Sequence, residues 1–264
     1  VRNSCEEEPR HLLIPSAHRN IEEEFQASFN KSGIFLHQLA WIAVTGGRTK
    51  TLPEDISPVP VFKVPEVNSI GRGGLFLAEK KEALVVSAGS GTAMVAARND
   101  QFGHVTGSAV GGGTLQGLGK LLLKTTDPQK IDAMALIGNA DKADITLMEA
   151  TGGNLGKLPP DANAVNFGRS ARENGKDITE EDIAAGLVRM VAQVIAVIAL
   201  NAARAENLDT IIFIGHLVDL ESIRKALHSV AGFYNARFII PPKPGIGTSF
   251  GALLEGEYRY ENYV

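Results

Sequence analysis

Residues 83–123 read ALVVSAGSGTAMVAARNDQFGHVTGSAVGGGTLQGLGKLLL, and this stretch decides the fold. Two apolar runs, 83–88 and 93–97, flank a Gly-Ser-Gly-Thr turn, and this pattern predicts a β-hairpin. Farther along, Gly111, Gly112 and Gly113 precede leucines at helical spacing, which predicts a helix that begins at the triple glycine.

The two glycine-rich turns of this stretch are candidates for binding an anion. Glycine lets the main chain approach a ligand closely, and successive N–H groups in such a turn can form a concave anion site. A helix N-terminus adds further free N–H groups. The sequence therefore predicts a nucleotide phosphate held between two backbone turns, with two ordinary tight turns as the alternative. Neither turn matches the P-loop or the dinucleotide fingerprint.

Composition excludes several classes of protein. Of the 264 residues, 44% are hydrophobic and 21% charged, which is typical of a soluble globular protein. The formal net charge is -4 without a lysine- or arginine-rich block, so no nucleic-acid partner is predicted. The single cysteine, Cys5, can form no disulfide within the chain, which suits the cytoplasm. The six histidines lack metal-ligand spacing, and no metal site is predicted.

The most apolar stretch, 183–205, is predicted to be a buried helix. It carries Arg189, Gln193, Asn201 and Arg204, so we do not expect it to span a membrane. Thr179 and Asp182 stand at capping-box spacing before it. The sequence carries no recognisable signal peptide.

The rest of the chain predicts alternating strands and helices, arranged as two α/β lobes with a nucleotide between them. The boundary is predicted at Gly89, which gives a first lobe of 1–88 and a second of 89–264 with the long central helix; Thr179 is the other candidate. The predicted strands are 39–44, 59–64, 210–214 and 237–240, and the predicted helices begin at 21 (after Asn20 as cap), 67, 127 (with Asp127 as cap), 141, 220 and 247.

Glu66 is the candidate catalytic residue. It follows the predicted strand 59–64 directly and opens a helix, which is where α/β folds place chemistry. The alternative is that it only complements the dipole of that helix.

Several segments together resemble a type II pantothenate kinase, a family of the actin-like ATPase superfamily, which includes the sugar kinases. These segments are VPEVNSIGRGG, VSAGSGTAMV, HVTGSAVGGGTLQGLGKLL, NAVNFG, TIIFIGH and PGIGTSFGAL, and the likeness runs from about Leu12 to Leu254 in the family's order. It implies an α/β fold, the two-lobed actin-like ATPase (ribonuclease H-like) fold with a nucleotide cleft between the lobes. It also implies phosphoryl transfer from ATP, with Mg²⁺, to pantothenate, the first step of coenzyme A biosynthesis, by a homodimer.

The resemblance assigns roles to individual residues. Glu66 falls where the family has its general base, and His104, Thr106 and Gly107 fall near the pantothenate. The nucleotide-binding positions are Gly89, Ser90, Gly91, Thr92, Gly111, Gly112, Gly113, Asn166, Phe167, Gly168 and Gly215.

Two departures from the family pattern stand out. His104 replaces the usual arginine, so its charge would depend on pH; an ordinary polar hairpin residue is the alternative. The Asp-x-Gly-Gly-Thr/Ser loop of the family's first strand is not found upstream of Leu12, and we expect the N-terminal strand or strands to be missing from this chain. Two other functions therefore stay open: a kinase for a sugar or amino sugar, and an ATP-binding regulatory protein without catalysis.

Overall fold

The computed structural model describes residues 11–12, 21–47, 49–52, 55–56, 59–156, 158–172 and 177–262. The strands in these residues are β1 (Ile42–Val44), β2 (Asp55–Ile56), β3 (Val59–Lys63), β4 (Glu82–Ala88), β5 (Thr92–Arg98), β6 (Gln101–Ser108), β7 (Ile145–Thr146), β8 (Asn163–Val165), β9 (Thr210–Ile214) and β10 (Arg237–Ile239). The α-helices are α1 (Ile21–Ser32), α2 (Glu66–Leu77), α3 (Gly112–Leu122), α4 (Pro128–Ile137), α5 (Leu147–Thr151), α6 (Gly168–Arg172), α7 (Glu180–Ala205), α8 (Glu221–Tyr234) and α9 (Gly247–Glu261).

The larger sheet has five strands in the order β10-β9-β4-β5-β6. β4 and β5 form the predicted hairpin, paired from Glu82 with Arg98 to Ala88 with Thr92. β6 continues the antiparallel pairing at one edge, whereas β9 and β10 lie parallel to β4 on the other side. Two antiparallel and two parallel pairings therefore form one mixed sheet, in which β5 runs opposite to the other four strands.

Helices cover both faces of this sheet because its strands are apolar on both sides. Leu84, Val86 and Phe213 face a core formed with α7, α8, α3 and α4. Val85 and Ile212 face a smaller core with Ile70 of α2. The result is three layers, with α2 on one face and α7 on the other.

A smaller sheet in the first part of the chain has the order β1-β3-β2, with β1 and β3 parallel. It packs against α9, where a methyl group at Gly256 would lie 2.7 Å from the Ala43 side chain. α2 follows β3 but packs on the larger sheet, and α9 follows β10 but packs on the smaller one. Each sheet is therefore covered by the helix that follows the other sheet's last strand.

The predicted lobe boundary at Gly89 lies inside the β4–β5 turn. Because β4 pairs with β5 on one side and with β9 on the other, we propose instead that the second lobe begins at β4. The other candidate boundary, Thr179, precedes α7, which packs on the same sheet.

α7 starts at the predicted capping box, in which Thr179 Oγ1 accepts from the Asp182 N–H and Asp182 accepts from the Thr179 N–H. Burial works to raise the pKa of Asp182, but N–H groups of Asn139 and Thr179 and the Lys142 ammonium together lower it to about 2. By length and composition α7 could cross a membrane, but 61% of its most apolar window is buried in the protein. It is a core helix, as predicted.

One prediction of secondary structure is wrong. The stretch 141–148 is not a helix: a short 3₁₀ turn at Ala140–Lys142 is followed by β7, which pairs with β8. A new helix, α5, begins only after Thr146, whose hydroxyl accepts from the Glu149 N–H. This capping pair competes with continuation of a helix through the segment. The predicted cap Asn20 lies outside the described residues.

α2 and α9 cross at a glycine-lined contact. A methyl group at Gly73 would overlap the Gly247 carbonyl oxygen, and one at Gly251 would overlap the Ser69 carbonyl oxygen. Arg72 Nε donates to Glu255 Oε2 at 2.8 Å across the same crossing. The two helices that connect the sheets therefore touch backbone to backbone.

We expect Gly73→Ala to destabilise the protein by about 1–3 kcal/mol, since the added methyl group meets backbone that can move only if a helix shifts. The measurement is the midpoint of thermal or urea unfolding. The control is Gly232→Ala in α8, where a methyl group meets nothing within 4 Å; it should be neutral or slightly stabilising. Equal midpoints for the two variants would contradict the close crossing.

Candidate functional site

The candidate site lies at the edge of the larger sheet where β4 and β9 end. These strands are parallel, with Ser87 in register with Ile214, so their carboxyl ends meet at the same edge. Gly89 follows β4 and Gly215 follows β9. In α/β sheets, ligands bind outside the carboxyl ends of strands where connections diverge. Here β4 leads into a hairpin and β9 into a helical crossover.

The two glycine turns predicted from the sequence are in direct contact. The Gly112 N–H donates to the Gly89 carbonyl at 2.7 Å, and the Gly113 N–H donates to the Ser90 carbonyl at 2.9 Å. A methyl group at Gly111 would lie 2.6 Å from the Ser90 carbonyl oxygen. The two turns, 89–92 and 111–113, thus form one packed unit, called here the glycine unit. The phosphate site predicted between the two turns stays a prediction.

The tip of the first turn points outward. Ser90 and Gly91 are exposed, and within the described residues their N–H groups have no hydrogen-bond acceptor. Adjacent unpaired N–H groups at an exposed turn are suited to an anion. An anion would therefore bind on the outer side of the glycine unit.

Thr92 holds this unit together from inside. It is buried, and its Oγ1 donates to the Val110 carbonyl at 2.8 Å. The Val110 N–H in turn donates to Ser108 Oγ at 3.0 Å. The Thr92 hydroxyl is therefore used to join the hairpin to the start of α3.

Gly215 lies beside the glycine unit. It has φ +100°, a conformation that favours glycine, and a methyl group there would overlap the Ala88 carbonyl oxygen. Its N–H donates to the Pro244 carbonyl at 2.8 Å. The Leu217 side chain lies 4.0 Å from the position of a methyl group at Gly112. Gly215 therefore connects β4, the glycine unit and the segment before α9.

Asn166, Phe167 and Gly168 occupy a different part of the second lobe. The Phe167 N–H donates to Asp144 Oδ1 at 2.8 Å, and the Phe167 ring lies against Gly186 of α7. The pKa of Asp144 is raised by burial, which the Phe167 N–H and the Arg189 guanidinium oppose. Among the described hydrogen bonds, none joins these three residues to the glycine unit. Their nucleotide-binding role stays a prediction.

A cavity of about 440 Å³ lies near these residues, between α4, α7 and α8. Asn163 lines it, and its Nδ2 donates to Gln193 Oε1 at 3.1 Å. The Asn163 Oδ1 atom is buried without a hydrogen-bond partner in the described structure.

Glu66 is exposed at the first turn of α2. One turn later, Ser69 Oγ donates to Thr45 Oγ1 at 3.0 Å, just beyond the end of β1. The first turn of α2 is thus fixed to the carboxyl edge of the smaller sheet.

Within the described residues no group of three or more histidine, cysteine, aspartate or glutamate side chains could hold a metal ion.

The predicted substrate residues lie on β6, at the edge of the larger sheet. His104 pairs with Val95, whose side chain packs towards α2, whereas Thr106 pairs with Met94, whose side chain packs towards α7. A register shift between the two pairs separates them. His104 and Thr106 therefore lie on opposite faces of the sheet, because directly paired side chains share a face.

His104 and Glu66 lie on the same side of the sheet. α2 contacts β6 where Gly71 meets the Phe102 ring. His104 is two residues along β6 from Phe102, and Glu66 is five residues along α2 from Gly71. At about 3.4 Å per strand residue and 1.5 Å per helix residue, His104 lies about 7 Å along β6 and Glu66 about 8 Å along α2 from that contact.

Sequence analysis missed other polar residues at this edge. Ser87 Oγ lies 3.4 Å from Thr248 Oγ1, which belongs to the first turn of α9. His216 and Asp219, in the 3₁₀ helix His216–Asp219, bond to each other. The sequence signal for His216 and Asp219 was their position directly after Gly215, which ends β9. The contacts that these polar side chains make could not be predicted without the tertiary structure.

Comparison with known proteins identifies the family. The family model described as Fumble matches residues 62–237. The chain belongs to the Fumble family. A type II pantothenate kinase of Bacillus anthracis is 29% identical over 222 residues, 81% of this chain and 79% of that protein. The Oceanobacillus iheyensis type II pantothenate kinase is 28% identical over 211 residues, 78% of this chain and 75% of that protein. The resemblance stated above is confirmed, and this Fumble-family chain is a kinase.

Solved structures confirm the fold class. The activator of the 2-hydroxyisocaproyl-CoA dehydratase from Clostridium difficile, with bound ADPNP, matches with TM-score 0.63 and 15% identity, over 92% of this chain and 82% of that one. Component A of the Acidaminococcus fermentans (R)-2-hydroxyglutaryl-CoA dehydratase matches with TM-score 0.62 and 14% identity, over 91% and 84%. The Fumble-family chain has the two-lobed actin-like ATPase fold.

We expect Gly111→Ala to destabilise the protein by about 1–3 kcal/mol, because its methyl group would press on the backbone of the 89–92 turn. Thermal unfolding measures this loss. Gly117→Ala, within α3 but with open space around it, is the matched control and should not lower the midpoint. A Gly111→Ala protein as stable as wild type would mean that the two turns are not in contact.

Proposed function

We propose that this chain transfers the γ-phosphoryl group of ATP to the primary hydroxyl of pantothenate, the first step of coenzyme A biosynthesis. The observation that carries the proposal is the Fumble match over residues 62–237, which includes the glycine unit and Glu66. The curated relatives of similar length bear the name type II pantothenate kinase.

The glycine unit supports ATP as the phosphoryl donor. The unpaired N–H groups of Ser90 and Gly91 would bind phosphate oxygens from the outer side of the hairpin. Gly215, which follows β9 at the same edge, would lie beside the nucleoside. Mg²⁺ would enter with the nucleotide, because it is usually held by phosphates, waters and only one or two carboxylates.

Glu66 would act as the general base that accepts the hydroxyl proton of pantothenate. Its carboxylate is exposed at the start of α2 and free to approach a substrate. A positioned base contributes about a hundred- to ten-thousand-fold in rate. Most of the catalysis in phosphoryl transfer comes from positioning and charge stabilisation, which the glycine unit would supply.

His104 would bind the substrate on the α2 side of β6, with Gly107 farther along the same strand. Gly107 pairs with Ala93, whose side chain packs on the α2 side, as His104 pairs with Val95. Thr106 lies on the other face of the sheet. Its proposed role is therefore structural, in the part of β6 where the register shifts.

A homodimer in the cytoplasm is also proposed, with α7 as its interface. Met190, Val194, Val197 and Ile198 are half-buried along one side of α7, and exposed Asn201 follows. The positions 190, 194, 197 and 201 alternate by four and three residues, which is the spacing of a two-helix contact. An apolar stripe of this kind would be covered by the same stripe of a second copy.

Turnover tests the proposed activity: ADP release with ATP, Mg²⁺ and pantothenate, for wild type and Glu66→Ala. We expect pantothenate to stimulate release and Glu66→Ala to lose roughly a hundredfold or more in kcat, with ATP affinity unchanged. Glu180→Ala is the control, since Glu180 is likewise the exposed first residue of a helix.

The other outcomes distinguish the alternatives. Phosphorylation of glucose or N-acetylglucosamine instead of pantothenate would assign the chain to sugar kinases. ATP binding without turnover on any substrate would assign it to non-catalytic nucleotide-binding proteins. Full activity of Glu66→Ala with pantothenate would leave the kinase assignment intact and remove Glu66 as its base.

For the dimer, Val194→Asp is expected to shift the protein from dimer to monomer, because two buried carboxylates would face each other in the contact. Sedimentation velocity measures the change. Ala150→Asp, on exposed α5, is the control and should stay dimeric. A wild-type protein that is monomeric at micromolar concentration would refute the interface.

A further inference from the structure

Two short 3₁₀ helices meet beside the glycine unit. The first, His216–Asp219, follows Gly215 at the end of β9, and the second, Pro244–Ile246, leads directly into α9. His216 Nδ1 lies 2.9 Å from Asp219 Oδ2, and the Gly245 N–H donates to Asp219 Oδ1 at 3.2 Å. One carboxylate therefore joins an imidazole in the first helix to a backbone N–H in the second. We call this contact the His216–Asp219–Gly245 lock.

Gly245 lies directly against the two side chains of the lock. A methyl group there would overlap both Asp219 Oδ2 and His216 Nδ1. A second hydrogen bond, from the Gly215 N–H to the Pro244 carbonyl at 2.8 Å, joins the same two segments as the lock. Two hydrogen bonds thus join the two 3₁₀ helices into one wall.

Both ends of this wall contact the strand ends that border the candidate nucleotide site. Gly215 touches the Ala88 backbone at the end of β4, next to the glycine unit. At the other end, Gly247 lies against Ile214, and Thr248 Oγ1 is 3.4 Å from Ser87 Oγ. A shift of the second 3₁₀ helix would therefore move the first turn of α9 relative to the end of β4.

We propose that the His216–Asp219–Gly245 lock positions the nucleoside end of the bound nucleotide, so that His216 and Asp219 set nucleotide affinity. The proposal rests on the proposed function, since it assumes that ATP occupies this edge. His216 and Asp219 are positioning residues: they act by holding Gly215 and the start of α9 in place.

The chemistry of the pair suits this role. The hydrogen bond that Asp219 accepts from His216 raises the pKa of His216, while partial burial opposes the rise. A bond between an imidazole N–H and a carboxylate such as that of Asp219 is charge-assisted, and such bonds are roughly twice as strong as neutral ones. More than half of the His216 side chain stays exposed, at 55%, so the pair is not a core contact.

The experiment measures the Kd of ATP and ADP for the full chain by calorimetry, and the KM values for ATP and pantothenate in turnover. Asp219→Ala should weaken nucleotide binding about tenfold, the equivalent of one hydrogen bond, and raise KM for ATP without an equal rise in KM for pantothenate. His216→Ala should act in the same direction. His216→Asn, which keeps a donor at the position of Nδ1, should recover most of the affinity.

Two controls separate positioning from general damage. His228→Ala removes an exposed histidine whose Nδ1 lies 2.7 Å from a carbonyl of its own helix, and should change neither constant. Gly245→Ala should reproduce the Asp219→Ala effect by steric overlap, whereas Gly47→Ala, with nothing within 4 Å, should not. If the Asp219→Ala protein does not fold, the difference in nucleotide affinity between His216→Asn and His216→Ala still tests the proposal.

The outcomes distinguish the two proposals. If wild type binds neither ATP nor ADP, the proposed function fails. If wild type binds nucleotide and the Asp219, His216 and Gly245 variants bind it equally well, the lock has no positioning role. Equal rises in both KM values would also overturn the inference, because they would indicate a structural effect on the whole site.

Discussion

The parallel pairing of β4 with β9 is the constraint on which the candidate site depends. These strands are far apart in sequence, and their pairing brings Gly89 and Gly215 to one edge. α7, in the connection between them, packs its length against the sheet and buries the apolar face of both strands. The site is therefore a consequence of burying that helix.

Glycines in this protein serve close packing more often than flexibility. Gly111 to Gly113 let the start of α3 bond to the 89–92 turn, and Gly73 and Gly251 let two helices touch. Backbone contact at each place leaves no side chain that could adapt. The turn that would bind phosphate is thus held by main-chain hydrogen bonds on one side, and the N–H groups of Ser90 and Gly91 have no acceptor among the residues that the structure describes.

Local patterns predicted much of the fold because they are local. The β4–β5 hairpin, the start of α3 and the capping box of α7 are each written in a few adjacent residues. The prediction of a helix over 141–148 is wrong because Thr146 caps a new helix. The prediction gave more weight to the spacing of apolar residues than to this capping signal. The contact between the two glycine turns, the opposite faces of His104 and Thr106, and the Asp219–Gly245 bond depend on tertiary register. The register between segments that are distant along the chain could not be predicted from this one sequence.

The exchange of helices between the two sheets has a consequence for the proposed chemistry. Glu66 opens α2, whose first turn is fixed to the smaller sheet through Thr45, while its middle packs on the larger sheet. α9 does the reverse and begins at the edge that carries Ser87. The proposed base and the proposed nucleotide site therefore belong to different sheets, joined by a crossing that is backbone against backbone. Their separation is set by the angle of that crossing, so alignment of base and phosphate would depend on the two glycines that permit it.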